Sequence, residues 1–357
     1  MGFYHGLAML WETLWALVLG FGISAALQVF VSKEKMTRAF GRTNLKTMLL
    51  ATGLGAASSS CSYAAVAAGR SAFQKGAALI VALAFMFAST NLVVELGAVL
   101  WLLMGWQFVL AEIIGAFILI GTMWLLMSIF FPKKLENEAR ERAEMATEGC
   151  GHEHHHHQQH EENKWTRLAT AFWMDWRMLW KEIIGGFLIA GFIAALVPAD
   201  WWKALFLNSG PGWLRLIENA AVGPIVAMAS FVCSVGNIPL ASLLWANGIS
   251  FGGVISFIYA DLIVVPIILI YGKYFGGRAA LYITIIFYVA MVLSGVIVDL
   301  AFNALGLIPR GARAESAIAH ATFNWDYTAW LDFAAIAVAA WFLYLALRTR
   351  RAAAHSH

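Results

Sequence analysis

Long apolar runs separated by short polar loops dominate this chain. A membrane-spanning α-helix needs about 20 consecutive apolar residues, and several runs reach that length. They predict spans at 8–31, 77–103, 106–131, 171–197, 249–271, 279–302 and 328–348. The pattern therefore predicts an all-α polytopic membrane protein.

Two shorter apolar stretches, 47–60 and 219–232, end at polar, turn-like sequences and are followed by a second short apolar piece. Backbone that is not helical at membrane depth is tolerated only where protein covers it or where it lines a cavity. We therefore predict re-entrant helical hairpins at 47–72 and 219–247.

Composition supports a membrane protein, because 61% of the 357 residues are hydrophobic and 13% are charged. Soluble domains are about 45–50% apolar and about 25% charged. The net charge of +3 comes from Lys and Arg in short clusters between apolar runs. Such clusters encode topology, so we expect membrane lipid as a partner and no nucleic acid.

The basic clusters also orient the chain. They lie in loops 32–46 and 132–167, at Lys273 and Arg278, and in the tail after Arg348. Cytoplasmic loops carry the excess of Lys and Arg, which predicts an N-terminus outside and a C-terminus in the cytoplasm.

The chain resembles itself at a shift of 169–172 residues. Ala57-Ser58-x-x-Cys61-Ser62 matches Ala229-Ser230-x-x-Cys233-Ser234, and Asn91 matches Asp261. Each repeat then contains a span, a hairpin and two further spans. Because three full spans is an odd number, the second repeat enters the membrane from the opposite side. The predicted units are a first repeat (1–131), a charged, His-rich cytoplasmic linker (132–170), a second repeat (171–302), and an extracytoplasmic loop with a final span and basic tail (303–357).

Inverted repeats with paired broken segments are typical of transporters whose substrate site lies near the midplane, between the repeats. We predict such a site where the two hairpins meet. No nucleotide-binding motif or catalytic constellation is visible in the sequence, so neither an enzyme nor a bound cofactor is expected.

Two cysteines, Cys61 and Cys233, lead the candidates for the transport site. A helix N-terminus favours the thiolate, and thiolates select soft ions. The alternative is that each cysteine is simply a small residue that allows close packing at the hairpin tip. Hydroxyl and amide groups beside them favour an anion instead. These are Ser58, Ser62, Ser230, Ser234 and Asn237.

Polar residues inside apolar spans are the candidates for coupling transport to an ion gradient. Asp261, Asn91 and Glu95 are assigned to this role. Glu112 and Glu182 lie nearer to the ends of spans, and we interpret them as interfacial carboxylates.

The linker between the repeats carries a histidine-rich tract. A tract of this composition binds divalent metals, but it is equally compatible with a solvated linker. Its candidate accessory ligands are Cys150, His152, His154, His155, His156, His157 and His160.

The paired Ala-Ser-x-x-Cys-Ser turns and the spans that reach Asn91 and Asp261 resemble the predicted-permease family that includes the organoarsenical efflux permease ArsP and the YraQ-type proteins. The resemblance covers roughly 10–130 and 175–300. It implies a multi-pass permease of a bacterial-type inner membrane and, for some members, export of soft metalloids. Unlike the second turn, which has Pro239, the first lacks a proline after its cysteine.

We therefore expect an inner-membrane permease that exports a soft metal or metalloid through a midplane site containing Cys61 and Cys233. One alternative is a transporter of a small sulfur-containing or organic anion. A second is a membrane thiol oxidoreductase that uses the same two cysteines as a redox pair. The sequence leaves the oligomeric state open, a homo-oligomer included.

Overall fold

The computed structural model describes residues 2–30, 38–58, 61–148, 164–196, 205–207, 211–230, 234–309 and 327–354. Every regular element in these ranges is a helix, which confirms the all-α class. The helices are α1 (Gly2–Phe30), α2 (Leu45–Ser58), α3 (Ser62–Gln74), α4 (Leu79–Asn91), α5 (Val94–Met104), α6 (Trp106–Phe130), α7 (Lys133–Glu148), α8 (Lys164–Leu196), α9 (Gly212–Ser230), α10 (Ser234–Ala246), α11 (Phe251–Ile258), α12 (Val265–Phe275), α13 (Gly277–Ala304) and α14 (Tyr327–Ala354). A 3₁₀ segment, Tyr259–Ile263, joins α11 to the residues before α12.

Three helical segments in the described part are long and apolar enough to cross a membrane: Trp106–Phe130, Gly277–Ala304 and Ala329–Arg348. They agree with the predicted spans 106–131, 279–302 and 328–348. Phe251–Ile263 together with Val265–Phe275 makes a fourth candidate, bent by 43° at the break.

Within the predicted spans 77–103 and 249–271 the helix is not continuous, because the structure breaks both. In the first, α4 ends at Asn91 and Val93 is extended before α5 begins. In the second, Val264 is extended before α12. Pro266, near the start of α12, has no N–H to continue a helix from the preceding turn. An apolar run indicates that a segment is buried but does not show whether its helix is continuous. The sequence pattern therefore could not predict either break.

The predicted spans 8–31 and 171–197 fall within the single helices α1 and α8, several of whose side chains lie outside the described residues. These two helices pack against each other, and α14 packs on both of them. Asp332 of α14 accepts a hydrogen bond from the backbone N–H of Trp15 at 2.9 Å. The final helix therefore rests on the first helix of the chain and on α8.

Each predicted hairpin consists of two helices: α2 and α3 in 47–72, α9 and α10 in 219–247. Among the described residues, the members of a pair do not lie along each other. Instead α2 and α3 both pack on α4, and α9 and α10 both pack on α11. The same arrangement thus occurs twice, while the re-entrant path through a membrane stays a prediction.

Backbone features recur in the two halves at a spacing of 171 or 172 residues. Helices begin at Ser62 and Ser234, and again at Leu79 and Phe251. Equivalent helices of the two halves are followed by residues with positive φ. These residues are glycines, because glycine adopts such angles without strain. The pairs are Gly76 (φ 100°) with Gly248 (φ 95°), and Gly105 (φ 94°) with Gly276 (φ 91°). The repeat is therefore present in the backbone as well as in the sequence.

Two side-chain contacts join a residue to its own equivalent 172 positions away. The side-chain oxygens of Thr122 and Ser294 are 3.2 Å apart where α6 packs on α13. Those of Ser62 and Ser234 are 3.5 Å apart. Equivalent residues meet in this way beside a two-fold axis, which indicates a local two-fold relation between the halves. Inverted repeats and parallel repeats both have such an axis, so the inversion and the orientation of the termini stay predictions.

Glycine permits a close helix crossing in each half. A Cβ at Gly55 would lie 2.6 Å from the Phe85 carbonyl oxygen, and one at Gly223 would lie 2.6 Å from the Gly253 carbonyl oxygen. The Cβ position of Gly53, also in α2, is open. The two halves therefore use the same device to bring α2 onto α4 and α9 onto α11.

We expect Gly55→Ala to destabilise the protein by about 1–3 kcal/mol, because backbone atoms must move to admit the new methyl group. Gly53→Ala is the matched control and should be neutral or stabilising by up to about 1 kcal/mol, since alanine favours the helix. The measurement is the unfolding temperature of each purified variant in one detergent. Equal unfolding temperatures for the two variants would contradict the crossing.

Candidate functional site

Three buried polar side chains meet where the two halves touch. The Ser62 hydroxyl donates to Asp261 Oδ2 at 2.8 Å, and the Ser234 hydroxyl donates to the same oxygen at 2.5 Å. The exposed fractions are 3% for Ser62, 6% for Ser234 and 1% for Asp261. One carboxylate oxygen therefore binds a hydroxyl from each half of the chain. We call Ser62, Ser234 and Asp261 the axial cluster.

Local structure explains why these residues meet. Ser62 is the first residue of α3 and Ser234 is the first residue of α10. The first turn of a helix has N–H groups without an intrahelical partner and carries the positive end of the helix dipole. Asp261 lies in the 3₁₀ segment that precedes the break before α12. The broken helix thus brings an acidic side chain to the positive ends of two other helices.

The Thr90 side chain and the Leu262 backbone N–H lie close to the same carboxylate. Its second oxygen, Oδ1, has no hydrogen-bond partner among the described residues. Asn91, which is 2% exposed, donates from Nδ2 to Thr90 Oγ1 at 3.1 Å and to the Phe87 carbonyl at 3.1 Å. Asn91 therefore does not contact Asp261 itself but donates a hydrogen bond to Thr90, which lies next to that carboxylate.

Ser58 and Ser230 do not join the cluster. Each donates to a carbonyl of its own helix: Ser58 to Gly55 at 2.7 Å and Ser230 to Ala227 at 2.9 Å. They close the last turns of α2 and α9. Asn237 is fully buried, and its Oδ1 accepts from Ser230 at 3.5 Å.

Cys61 directly precedes α3 in an extended conformation, and its carbonyl accepts from the Ala65 N–H at 2.8 Å. Its side chain is partly buried against the core. The remaining predicted ligands and coupling groups, and the predicted interfacial carboxylate Glu182, lie outside the described residues or have side chains that do. They are Cys233, Cys150, His152, His154, His155, His156, His157, His160 and the side chains of Glu95 and Glu182. Within the described ranges no three His, Cys, Asp or Glu residues form a group able to hold a metal.

The structural register differs from the predicted pairing of Asn91 with Asp261. A spacing of 172, which holds for Ser62 with Ser234, pairs Asp261 with Ser89 instead. Ser89 donates to the Met86 carbonyl of its own helix at 3.0 Å. The two halves are therefore chemically unequal at this position, with an acid in the second half and a hydroxyl in the first.

Glu112 is the residue that the sequence interpretation missed. It is 2% exposed, so its assignment as an interfacial carboxylate is wrong. It interacts electrostatically with Asp261. No short-range pattern marks this burial, because Tyr259, which fits over Gly115 one turn further along α6, is distant in the sequence.

The amino-acid sequence matches a known protein family. The ArsP_1 model, described as a predicted permease, matches residues 5–300. The chain belongs to this predicted permease family. The permease is 45% identical over 322 residues to "Putative permease Rv2963" of Mycobacterium tuberculosis (strain ATCC 25618 / H37Rv), a match that covers 87% of this chain and 79% of that protein. No solved structure matches the chain.

Family membership confirms the resemblance drawn from the paired cysteine-serine turns. Together with the apolar helices it establishes a multi-pass membrane protein of the permease type. A permease moves a solute, so its buried polar groups are the natural candidates for contact with that solute or with a coupling ion. In this chain three of them meet at the axial cluster.

The axial cluster should contribute measurably to stability of the permease. Ser62→Ala removes a hydrogen bond to a buried carboxylate and is expected to cost about 1.5–3 kcal/mol. Ser89→Ala is the matched control, since Ser89 is equally buried and donates only within its own helix. Its cost should be about 0.6 kcal/mol, the average for hydrogen bonds in membrane proteins. Thermal unfolding in lipid nanodiscs compares the two variants. Equal losses of stability would mean that the Ser62 hydrogen bond does not stabilise the buried Asp261 carboxylate.

Proposed function

We propose that the permease exports a soft metal or metalloid species from the cell through a site between the N-terminal ends of α3 and α10. The observation that carries this proposal is the 3.5 Å approach of the Ser62 and Ser234 hydroxyls. Cys61 and Cys233 directly precede these serines in the chain. Two thiol-bearing positions therefore adjoin the same pair of residues.

The chemistry of these positions suits a soft ion. A helix N-terminus stabilises the thiolate over the thiol, and thiolates bind As(III), Cu(I), Zn(II) and related species. The main-chain carbonyl of Cys61 already accepts the first hydrogen bond of α3, so this residue lies at the N-terminus itself. Ser62 and Ser234 can supply further oxygen contacts to the bound species.

Asp261 favours a cationic or neutral soft species over an anion. Its carboxylate already lies at the two helix N-termini that would otherwise attract an anionic solute. A second negative charge at this distance would be repelled in a region of low dielectric. A sulfur-containing or organic anion is therefore the weaker alternative.

Coupling to a proton gradient is assigned to Asp261. A carboxylate buried within a membrane protein is a functional candidate by default, and this one contacts both halves. Asn91 supports it through Thr90. Glu95 remains a candidate for the same role on its sequence position alone, and Ser58, Ser230 and Asn237 support the ends of the helices that surround the site.

The wider arrangement is part of the same proposal. It places two inverted repeats so that they meet at the midplane of a bacterial-type inner membrane, with the basic loops in the cytoplasm. The two-fold contacts support the pairing of the halves. The linker then lies on the cytoplasmic side, where Cys150 and its neighbouring histidines would deliver the metal to the site. A thiol oxidoreductase has no support from the permease family.

The test uses all three cysteines of the chain. A strain lacking its own exporters and expressing the permease is grown on a panel of arsenite, a trivalent methylarsenical, copper, zinc and mercury salts. We expect resistance to at least one of them, and its complete loss in Cys61→Ser and in Cys233→Ser because a hydroxyl does not replace a thiolate toward soft ions.

Cys150→Ser is the matched control for the loss of a thiol and should retain most of the resistance, since an accessory ligand only raises the local metal concentration. Equal membrane abundance of all variants is verified by immunoblot. Retained resistance in the Cys61→Ser, Cys233→Ser double variant would eliminate the thiol site. Transport of thiosulfate or of an organic acid by wild-type proteoliposomes, unaffected by thiol-blocking reagents, would support the anion alternative in its place.

A further inference from the structure

A second acidic residue lies beside the axial cluster. Glu112 is on α6, about 9 Å along the helix axis from Trp106. It is 2% exposed, and neither carboxyl oxygen has a hydrogen-bond partner among the described residues. A carboxyl group that is buried in this way requires a physical account, because nearly all buried polar atoms in proteins are paired.

Tyr259 joins Glu112 to Asp261. The Tyr259 hydroxyl donates to the main-chain carbonyls of Ala111 at 3.2 Å and Glu112 at 3.4 Å. The ring fits over Gly115, where any Cβ would overlap the hydroxyl group. Tyr259 and Asp261 belong to the same short 3₁₀ segment, so this contact fixes the segment that carries Asp261 against the helix that carries Glu112.

The surroundings of Glu112 contain no described group that compensates a negative charge. The 3₁₀ segment brings Tyr259 and Asp261, of which the latter interacts with it electrostatically. On α13, Asp299 is engaged by the Gly252 N–H at 2.7 Å and Tyr288 donates to the Ala221 carbonyl at 2.9 Å. Neither α4 nor α11 carries an ionisable side chain, and on α5 the ionisable residue is Glu95.

We propose that Glu112 is a proton-binding residue that carries a proton while Asp261 is charged. This proposal rests on the proposed function, since it adds a second proton site to the coupling assigned to Asp261. Burial of an unpaired carboxylate is costly, and the neighbouring negative charge makes it more so. Asp261 differs, because two serine hydroxyls stabilise its charged form.

The two carboxyl groups are therefore linked. A cation bound beside Asp261 compensates its charge and weakens the repulsion acting on Glu112. Breaking the O–H bond of the Glu112 carboxyl then costs less, with the proton released to water and the electron pair kept on the carboxylate. Binding of the cation thereby favours release of the proton, as exchange of a metal for protons requires.

The experiment detects the protonated carboxyl directly. Infrared spectra of the purified full-length protein in lipid at neutral pH should show the carbonyl-stretch band of a protonated carboxylic acid. Glu112→Gln should lose that band. Glu141→Gln, at an exposed position on α7, is the control for removing a glutamate and should keep the band unchanged.

Isotope labelling of the wild-type protein makes the test independent of whether Glu112→Gln folds. Carbon-13 in the glutamate side-chain carboxyl should shift the band, and the same label in aspartate should leave it in place. A band that persists in folded Glu112→Gln, that moves with the aspartate label, or that is absent from the wild type would overturn the proposal.

The outcomes separate this inference from the proposed substrate. No metal is added in the infrared experiment, so it reports on Glu112 alone. A band that depends on Glu112 combined with resistance that does not depend on the cysteines would reject the metal site and keep the proton site. The opposite pair of results would reject Glu112 only.

Discussion

The structure depends on how one carboxylate is kept inside a protein that spans a membrane. Asp261 is almost fully buried, and an isolated carboxylate in such surroundings would lose its hydration without replacement. Hydroxyl groups at the N-terminal ends of α3 and α10 supply hydrogen bonds to one of its two oxygens. Those helix ends lie within the protein interior, where helices of the two halves begin. The helix ends and the buried charge are therefore two parts of one arrangement.

The two-fold relation between the halves explains why the cluster is small and unequal. Near such an axis a residue meets its own equivalent, as Ser62 meets Ser234 and Thr122 meets Ser294. An acid at the equivalent position in both halves would place two carboxylates close together in a low dielectric, where repulsion is strong. The chain has Asp261 in one half and Ser89 at the position 172 residues earlier. Symmetry of the backbone is thus kept while symmetry of the charge is lost.

Much of this arrangement could be predicted from the sequence. The repeated cysteine-serine turns placed Ser62 and Ser234 among the residues expected where the two hairpins meet, and Asp261 was selected as an ionisable residue inside an apolar span. The predicted pairing of Asn91 with Asp261 was displaced by two residues, because runs of leucine and valine align almost equally well in neighbouring registers. Polar and glycine positions carry the register, and there are few of them in an apolar span.

The features that the sequence did not reveal depend on tertiary contacts. Hydropathy treats 77–103 and 249–271 as uninterrupted, although main-chain geometry breaks both. It also leaves the burial of Glu112 undetected, because Tyr259, whose hydroxyl contacts the Glu112 main-chain carbonyl, is 147 residues away along the chain. Burial of an acid by distant residues is a property of the fold and has no short-range signal.

Because Asp261 lies between the halves, its charge affects the energy needed to move one half relative to the other. Alternating access, which the proposed export requires, displaces one repeat relative to the other. Ser234 and Asp261 lie in the same half, whereas Ser62 lies in the other. Displacement therefore removes the Ser62 hydrogen bond first and leaves the carboxylate with less support. That loss is smaller when a proton or a bound cation has neutralised Asp261. Occupation of the site then lowers the energy of moving the halves, which is the property that a coupled permease needs.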